Sequence, residues 1–325
     1  AIDEFTVTAT SGGNGTITPA SQSVAYGGTA SFTVTPATGY HVVSVAGDTC
    51  TVTGSGTSYS AANIQANCAV TATFAIDEFT VTASSGGNGT ITPASQNVSH
   101  GGTASFTVTP ATGYHVVSVA GDTCTVTGSG TSYSAANIQA NCAVTATFAI
   151  DEFTVTATSG GNGTITPASQ TVAFDGTASF TVTPATGYHV VSVAGDTCTV
   201  TGSGTSYSAA NIQADCAVTA TFAIDEFTVT ATSGGNGTIT PASQTVAFDG
   251  TASFTVTPAT GYHVVSVAGD TCTVTGSGSS YSAANIQANC AVTATFAIDE
   301  FTVTATSGGN GTITPASQTV AFDGT

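Results

Sequence analysis

Lysine and arginine are absent from this chain of 325 residues, whereas aspartate and glutamate total 18, so the formal net charge at pH 7 is −18. Proteins that bind nucleic acids neutralise phosphate groups with lysine and arginine side chains. Proteins that adsorb to an anionic membrane surface use the same two residues. The composition therefore argues against nucleic acid as a partner and against binding to an anionic membrane.

An initiating methionine and a long apolar run are also missing. A membrane-spanning helix needs about 20 consecutive apolar residues, so we expect no membrane insertion in this segment. We find no signal peptide, and we expect any targeting segment to be cleaved or to lie outside this stretch. Because 41% of the residues are hydrophobic and only 6% are charged, the chain is too apolar for the usual disordered protein.

The sequence consists of internal repeats, and a fixed period of this kind is typical of a tandem array of small domains. The block that begins at Ala1 returns at Ala75, Ala149, Ala223 and Ala297, a period of 74 residues. The predicted domains are 1–74, 75–148, 149–222 and 223–296, followed by a partial repeat at 297–325. Units that start near residue 30, such as 30–103, fit the same sequence, so its phase stays open. Because the last repeat is partial, we expect the natural array to continue.

Short segments of each repeat alternate between apolar and polar residues, which is typical of half-buried strands separated by glycine-rich turns. In the first repeat the predicted strands are 5–10, 16–18, 30–35, 41–45, 50–53 and 69–74. The stretch Tyr59–Ala66 is ambiguous and is compatible with one helical turn. We predict an all-β tandem array of small sandwich-like domains that forms an elongated fibre. A β-grasp domain, with one short helix under a sheet, is the alternative.

The eight cysteines fall two per repeat, and an even number at fixed spacing in a small unit is typical of disulfides in an oxidising compartment. A domain of 74 residues buries little core and commonly needs such a crosslink. Closing the loop between the two cysteines is worth about 3 kcal/mol. The alternative is a zinc site that includes His41, but the spacing matches no compact zinc motif. The predicted pairs are Cys50–Cys68, Cys124–Cys142, Cys198–Cys216 and Cys272–Cys290.

Several short motifs recur in every repeat and carry a family resemblance. In the first repeat they are GTITP at 15–19, FTVTP at 32–36, Gly39-Tyr40, Tyr59 and AVTATF at 69–74. Together they resemble the divergent internalin-B-type repeat family of bacterial surface proteins. The resemblance implies a small β-rich module of long secreted or surface-anchored proteins, without catalytic residues. The paired cysteines and the lack of lysine and arginine depart from the usual pattern, which leaves the anchoring route open.

The boundary between repeats is marked by a change of inward face at the acidic pair Asp77-Glu78. Apolar residues occupy even positions before the pair and odd positions after it, and no flexible spacer follows, so neighbouring repeats should meet stiffly. Carboxylates at such a junction are candidate calcium ligands, because calcium takes oxygen ligands. The alternative is a solvated acidic bend. The candidate residues are Asp77, Glu78, Asp151, Glu152, Asp225, Glu226, Asp299 and Glu300, and the equivalent first pair is Asp3-Glu4. We predict no other metal and no cofactor.

A variable loop provides one more candidate contact surface. The repeats differ at seven positions, and four of these cluster at Ser23, Ala25, Tyr26 and Gly27. We interpret the loop as a tolerant, exposed surface loop, with a ligand-contact loop as the alternative. Thr-x-Thr runs on the strands are compatible with ice binding, but threonine is also a common residue on the wet face of a sheet.

Near-identical repeats supply length, or they supply the same weak contact many times. We therefore predict a non-catalytic structural segment of an extracellular bacterial surface fibre or adhesin stalk, which associates with further repeats or copies of itself. One alternative is a segment of a self-assembling filament, in which strands donated by another chain complete the partial repeat. The other alternative is a multivalent module that binds a surface glycan or ice. Four near-identical copies of His41 argue against a tuned active site, so we predict no enzymatic activity.

Overall fold

The computed structural model describes residues 1–324, and each complete repeat contains eight short strands. Two compact units divide the chain, Ala1–Asp151 with the first two repeats and Glu152–Thr325 with the later ones. None of the described residues is helical. A helix long and apolar enough to cross a membrane is accordingly not found in the described part of the chain.

The strands recur at equivalent positions in the four repeats. The first repeat holds β1 (Glu4–Ser11), β2 (Gly15–Thr18), β3 (Ser21–Ala25), β4 (Ala30–Pro36), β5 (Tyr40–Gly47), β6 (Val52–Ser55), β7 (Ser58–Ala61) and β8 (Cys68–Ile76). The second holds β9 (Glu78–Ser85), β10 (Gly89–Thr92), β11 (Ser95–Ser99), β12 (Ala104–Pro110), β13 (Tyr114–Gly121), β14 (Val126–Ser129), β15 (Ser132–Ala135) and β16 (Cys142–Ile150). The third holds β17 (Glu152–Ser159), β18 (Gly163–Thr166), β19 (Ser169–Ala173), β20 (Gly176–Pro184), β21 (Tyr188–Gly195), β22 (Val200–Ser203), β23 (Ser206–Ile212) and β24 (Cys216–Ile224). The fourth holds β25 (Glu226–Ser233), β26 (Gly237–Thr240), β27 (Ser243–Ala247), β28 (Gly250–Pro258), β29 (Tyr262–Gly269), β30 (Val274–Ser277), β31 (Ser280–Ile286) and β32 (Cys290–Ile298), and β33 (Glu300–Thr304) and β34 (Ser317–Ala321) follow.

In each repeat the eight strands form two four-stranded sheets. In the first repeat, sheet 1 has the order β3-β1-β8-β5 and sheet 2 has the order β2-β4-β7-β6. All neighbouring strands are antiparallel except β1 and β8, which run parallel with Val7 opposite Cys68. The same two orders recur in the other three repeats. The repeat is thus a small β-sandwich in which the first and last strands lie side by side.

The core of each repeat lies between the inward faces of the two sheets. Because successive side chains of a strand point to opposite faces, the Thr-Val alternation of the sequence places hydroxyls in water and apolar groups inside. In the first repeat Val7 and Val70 of sheet 1 are fully buried, as is Val34 of sheet 2, and Phe32 is 3% exposed. Ile64, from the loop after β7, closes the core at 1% exposure. Burying one such side chain stabilises the fold by about 1.5–3 kcal/mol.

The segment after the Gly-Ser-Gly turn is the strand β7, so the ambiguous stretch Tyr59–Ala66 contains no helical turn. In sheet 2, β7 places Tyr59 opposite Phe32 and Ala61 opposite Ala30. This period of two places Tyr59 and Ala61 on the face that packs against the core and half-buried Ser60 on the opposite face, which a helical turn cannot do. Because no described residue is helical, the β-grasp alternative is wrong. The sandwich prediction is confirmed.

The corresponding strand is longer in the third and fourth repeats. In the third repeat β23 reaches Ile212, which pairs with Gly176 at the start of β20. Asp175 stands where the first two repeats have glycine, and its Oδ1 accepts a hydrogen bond of 2.8 Å from Nε2 of Gln213. This bond ties the end of the loop to the strand. The backbone bond at this point is common to the repeats, since Gly27 N–H donates to the carbonyl oxygen of Ile64 just as Asp175 N–H donates to that of Ile212, so the variable position adds a side-chain bond to an existing contact.

The inward face changes parity where one repeat passes into the next. Before the junction Val70 and Ala72 are buried, and after it Val81 is buried and Ala83 is 9% exposed. Asp77 is the only residue between β8 and β9. The change of face that the sequence predicts at the acidic pair is confirmed, and it takes place at a single residue.

The residues after the fourth repeat form a two-stranded sheet of β33 and β34. Phe301 and Val303 of β33 are 55% and 57% exposed, whereas Val7, the equivalent of Val303, is fully buried in the first repeat. Among the described residues, no third strand pairs with this sheet. The difference shows that the burial of these side chains depends on the strands equivalent to β4–β8, which the partial repeat does not include.

Candidate functional site at the disulfide and the repeat junction

Each repeat contains one disulfide, which ties the loop after β5 to the first residue of β8. Cys50 and Cys68 have Cα atoms 5.9 Å apart, and Cys68 is 3% exposed. A Cβ atom built on Gly47 would lie 2.6 Å from Sγ of Cys50 and 3.0 Å from Sγ of Cys68, so only glycine fits beside the crosslink. No free cysteine occurs in residues 1–324. The four disulfides are Cys50–Cys68, Cys124–Cys142, Cys198–Cys216 and Cys272–Cys290.

An exposed aspartate beside each disulfide fixes the start of the last strand. Oδ1 of Asp48 accepts hydrogen bonds from the backbone N–H of Ala69 at 2.8 Å and of Thr49 at 2.6 Å. The hydroxyl of Thr49 donates to the same oxygen at 3.2 Å. These bonds, above all that from Ala69, lower the pKa of Asp48 below its ordinary value. The equivalent aspartates with a lowered pKa are Asp122, Asp196 and Asp270.

The junction between the first two repeats is held by hydrogen bonds on both sides of Asp77. Its backbone N–H donates to the carbonyl oxygen of Gly39 at 2.8 Å, and its carboxylate accepts a bond of 2.8 Å from Nδ1–H of His41. Its carbonyl oxygen accepts a bond of 2.8 Å from the backbone N–H of His100, in the next repeat. One residue thus belongs to the hydrogen-bond networks of both repeats.

The same contacts recur at the junction between the third and fourth repeats. Asp225 donates to the carbonyl oxygen of Gly187 and accepts from His189 and from the backbone N–H of Phe248, each at 2.8 Å. The histidine side chains are more than half exposed, at 56–57%. These histidines are therefore junction residues, and sequence reasoning missed their partner because the aspartate lies 36 residues away.

An aromatic ring from the variable loop covers the glycine of the preceding repeat. A Cβ atom on Gly39 would overlap the ring of His100, and one on Gly187 would overlap the ring of Phe248. His100 also lies against Phe79, with ring centroids 6.2 Å apart. The interpretation of the whole loop as an exposed, tolerant surface is wrong at this position, because the ring packs in the junction. Tyr26, the equivalent ring of the first repeat, is 59% exposed.

The acidic pairs do not converge on a common point. The aspartate of each pair accepts from a histidine, as in His41–Asp77, whereas the glutamate begins the next strand with an exposed side chain. Residues 1–324 contain no group of three or more histidine, cysteine, aspartate or glutamate side chains that could hold a metal. Calcium binding by these pairs stays a prediction. The residues placed in this way are Asp77, Glu78, Asp151, Glu152, Asp225, Glu226, Asp299 and Glu300.

Comparison with known proteins identifies the repeat. A family model described as a divergent InlB B-repeat domain matches residues 5–78, 79–152, 153–226 and 227–300. Among solved structures, the chain is similar to the Bacillus anthracis TIE protein, with 10% sequence identity and a TM-score of 0.33. That similarity covers 85% of this chain, which spans 63% of the length of the TIE protein chain. No curated protein matches the chain. The family model covers most of the sequence, the resemblance of its motifs is confirmed, and the chain belongs to the divergent InlB B-repeat family.

Proposed function

We propose that this chain is a non-catalytic structural segment of an extracellular bacterial surface fibre or adhesin stalk. In this proposal the 74-residue repeats that start at Ala1, Ala75, Ala149 and Ala223 act as rigid spacers. Further repeats, or further copies of the chain, are their natural partners. The observation that carries the proposal is the junction, where one residue is hydrogen-bonded to two repeats.

The junction supports a stiff connection because no residue in it is free to act as a linker. Flexible linkers are rich in glycine and serine and make few contacts. Here β8 ends at Ile76 and β9 begins at Glu78, so Asp77 is the whole connection. Its N–H, its C=O and its carboxylate are all hydrogen-bonded. A bend at this point has to break the bonds on one side of Asp77 and lift the ring of His100 from Gly39.

The chemistry of the repeat supports an extracellular location. Four disulfides in four small domains are typical of an oxidising compartment and rare in the cytosol. The domains carry no lysine or arginine, so trypsin-like proteases find no cleavage site in the sequence. Membership of the InlB B-repeat family fits the same assignment. The near-identity of the repeats fits a spacer better than an enzyme, because an enzyme gains nothing from four copies of one surface.

Small-angle X-ray scattering and electron microscopy of the full chain test the spacer role. Small β-domains of about 30–40 Å each in a stiff row give a rod of about 150 Å, with a radius of gyration of about 40 Å. A compact globule of 325 residues has a radius of gyration of about 20 Å. A matched control carries the insertion Gly-Ser-Gly-Ser after Asp77 and after Asp225. We expect rods for the native chain and bent particles for the control. Native particles that bend as freely as the control contradict the proposal.

A further inference from the structure

A shallow cleft recurs beside each disulfide on the outer side of sheet 1. In the first repeat it has a volume of about 310 Å³ and is lined by Thr6, Thr8, Asp48, Asn67, Cys68 and Ala69. Equivalent clefts occur in the other three repeats, with volumes of about 240–300 Å³. The spacer role does not use these clefts. Each is large enough for one small polar ligand or one unit of a polymer.

The protein's own hydrogen bonds determine which atoms each cleft offers to a ligand. Oδ1 of Asn67 accepts a bond of 2.8 Å from the backbone N–H of Thr6, so the Nδ2 amide group is the end of the side chain that is turned outward. Oδ1 of Asp48 is taken by Thr49 and Ala69, which leaves Oδ2 as an acceptor. The cleft therefore presents a fixed donor and a fixed acceptor, held in place by backbone bonds.

Charge and coordination narrow the class of ligand. The net charge of −18 and the absence of lysine and arginine disfavour phosphates, sulfates and acidic sugars. A calcium ion takes six to eight oxygen ligands, and in three of the four repeats the cleft supplies only one carboxylate. Adjacent hydroxyl groups, in contrast, match a fixed donor and a fixed acceptor, because each hydroxyl both donates and accepts.

We propose that the clefts that contain an asparagine, those of the first, second and fourth repeats, bind neutral saccharides, with one vicinal diol in each. One hydroxyl of the diol donates to Oδ2 of Asp48 and the other accepts from the Nδ2 amide group of Asn67. The hydroxyls of Thr6 and Thr8 border the ligand. The clefts lack an aromatic platform, so each binds weakly. Several clefts on one chain bind one polysaccharide, and such multivalency raises the affinity by about 10²–10⁴-fold.

The third repeat contains a natural control. Asp215 stands at the position of Asn67, and its Oδ1 accepts the same backbone bond, from Thr154, at 2.8 Å. The cleft has equivalent lining positions and a volume of about 240 Å³, but it offers a carboxylate oxygen in place of the amide N–H₂ group. We therefore assign saccharide binding to the first, second and fourth repeats and not to the third. The natural variant also shows that an aspartate at this position is compatible with the fold.

The test measures retention of the full chain on immobilised mannan, dextran, galactan and β-glucan, with alginate as the anionic control. The triple variant N67D/N141D/N289D gives every cleft the residue of the third repeat, and D215N gives that repeat the residue of the others. We expect the native chain to bind at least one neutral polysaccharide and not alginate. The triple variant should lose at least about tenfold in affinity, because the ligand oxygen loses its donor, and D215N should bind more tightly than the native chain.

A second set of variants separates binding from folding. T8V, T82V, T156V and T230V remove a hydroxyl from each cleft without a change of shape, and melting curves and near-ultraviolet circular dichroism monitor the fold. We expect weaker retention with an unchanged melting temperature. The proposal is overturned if no neutral polysaccharide retains the native chain, or if the triple variant and the valine variants are retained as well as the native chain. Neither outcome touches the spacer role, which depends on particle shape.

Discussion

Gly39 is the residue at which the junction can be disturbed with the least change elsewhere. Its φ of 78° is in the left-handed region, and a Cβ atom there would overlap the ring of His100. Gly39→Ala therefore has two costs. The left-handed backbone costs a non-glycine residue about 1–2 kcal/mol. The ring of His100 also contacts Phe79, with ring centroids 6.2 Å apart. Displacing the ring from this contact costs about 0.5–1.5 kcal/mol more.

A second glycine of the same repeat isolates the junction part of this cost. Gly27 has a φ of 79°, and a Cβ atom built there meets nothing within 4 Å. Gly27→Ala therefore carries the same backbone strain without any contact with the junction. Both variants should lower the stability of the first repeat by about 1–2 kcal/mol. Only Gly39→Ala should loosen the contact with the second repeat.

Hydrogen exchange at the backbone N–H of His100 measures the difference. This amide donates to the carbonyl oxygen of Asp77, and it lies in the sequence Asn-Val-Ser-His, which occurs once in the chain. A peptide that contains it is therefore unambiguous in mass spectrometry. A loss of about 0.5–1.5 kcal/mol at the junction raises the exchange rate about two- to tenfold in Gly39→Ala relative to Gly27→Ala. Equal exchange in the two variants would refute the assignment of Gly39 and His100 to one mechanical joint.

Two further predictions concern the region of the disulfide. Replacing Cys50 and Cys68 with alanine, together with the other three pairs, should lower stability by about 3 kcal/mol per repeat, from loop entropy. That loss corresponds to a fall of about 12–24 °C in the melting temperature of a domain of this size, and scanning calorimetry with an unchanged midpoint would contradict it. The lowered pKa of Asp48 means that its ionised form stabilises the fold above pH 3.8, and this contribution is lost as the pH falls through the folded pKa. Replacing Asp48, Asp122, Asp196 and Asp270 with asparagine should flatten the fall in melting temperature below pH 3.8, and parallel curves for native chain and variant would show that these carboxylates do not matter.

Local patterns in the sequence were sufficient to predict most of the sandwich. Strands such as β1 and β4 alternate threonine with large apolar residues, so their period of two is visible directly. The cysteine pairs follow from spacing alone, because each repeat contains only two. Two strands, β3 and β7, were not predicted. Each buries only one side chain, Val24 in β3 and Ala61 in β7, and one buried residue makes no pattern.

The junction could not be predicted because its parts are far apart in the chain. Gly39 and His100 come from different repeats, and sequence alone does not show that they meet. The Gly-Tyr turn in the sequence indicates a family resemblance, but it does not indicate a contact between repeats. The lack of a flexible spacer after the acidic pair predicts a stiff connection, but not the hydrogen bonds that Asp77 makes to both sides. The sequence shows that neighbouring repeats are directly connected in the chain, but it does not show which side chains pack between them.

The variability of the ring position follows from what the junction requires of it. Tyrosine, histidine and phenylalanine all occur there, as Tyr26, His100 and Phe248. In the junctions described above the ring over the glycine backbone is histidine or phenylalanine, and the contact requires a flat ring and no particular hydrogen-bonding group. The bonds that fix the geometry of the joint come instead from the backbone and from the His–Asp pair, which are the same at every junction whose contacts are given above. The hydrogen bonds that connect neighbouring repeats thus come from groups that are the same at these junctions, whereas the variable ring contributes contact area. The ring can therefore change from one repeat to the next without a change in those hydrogen bonds.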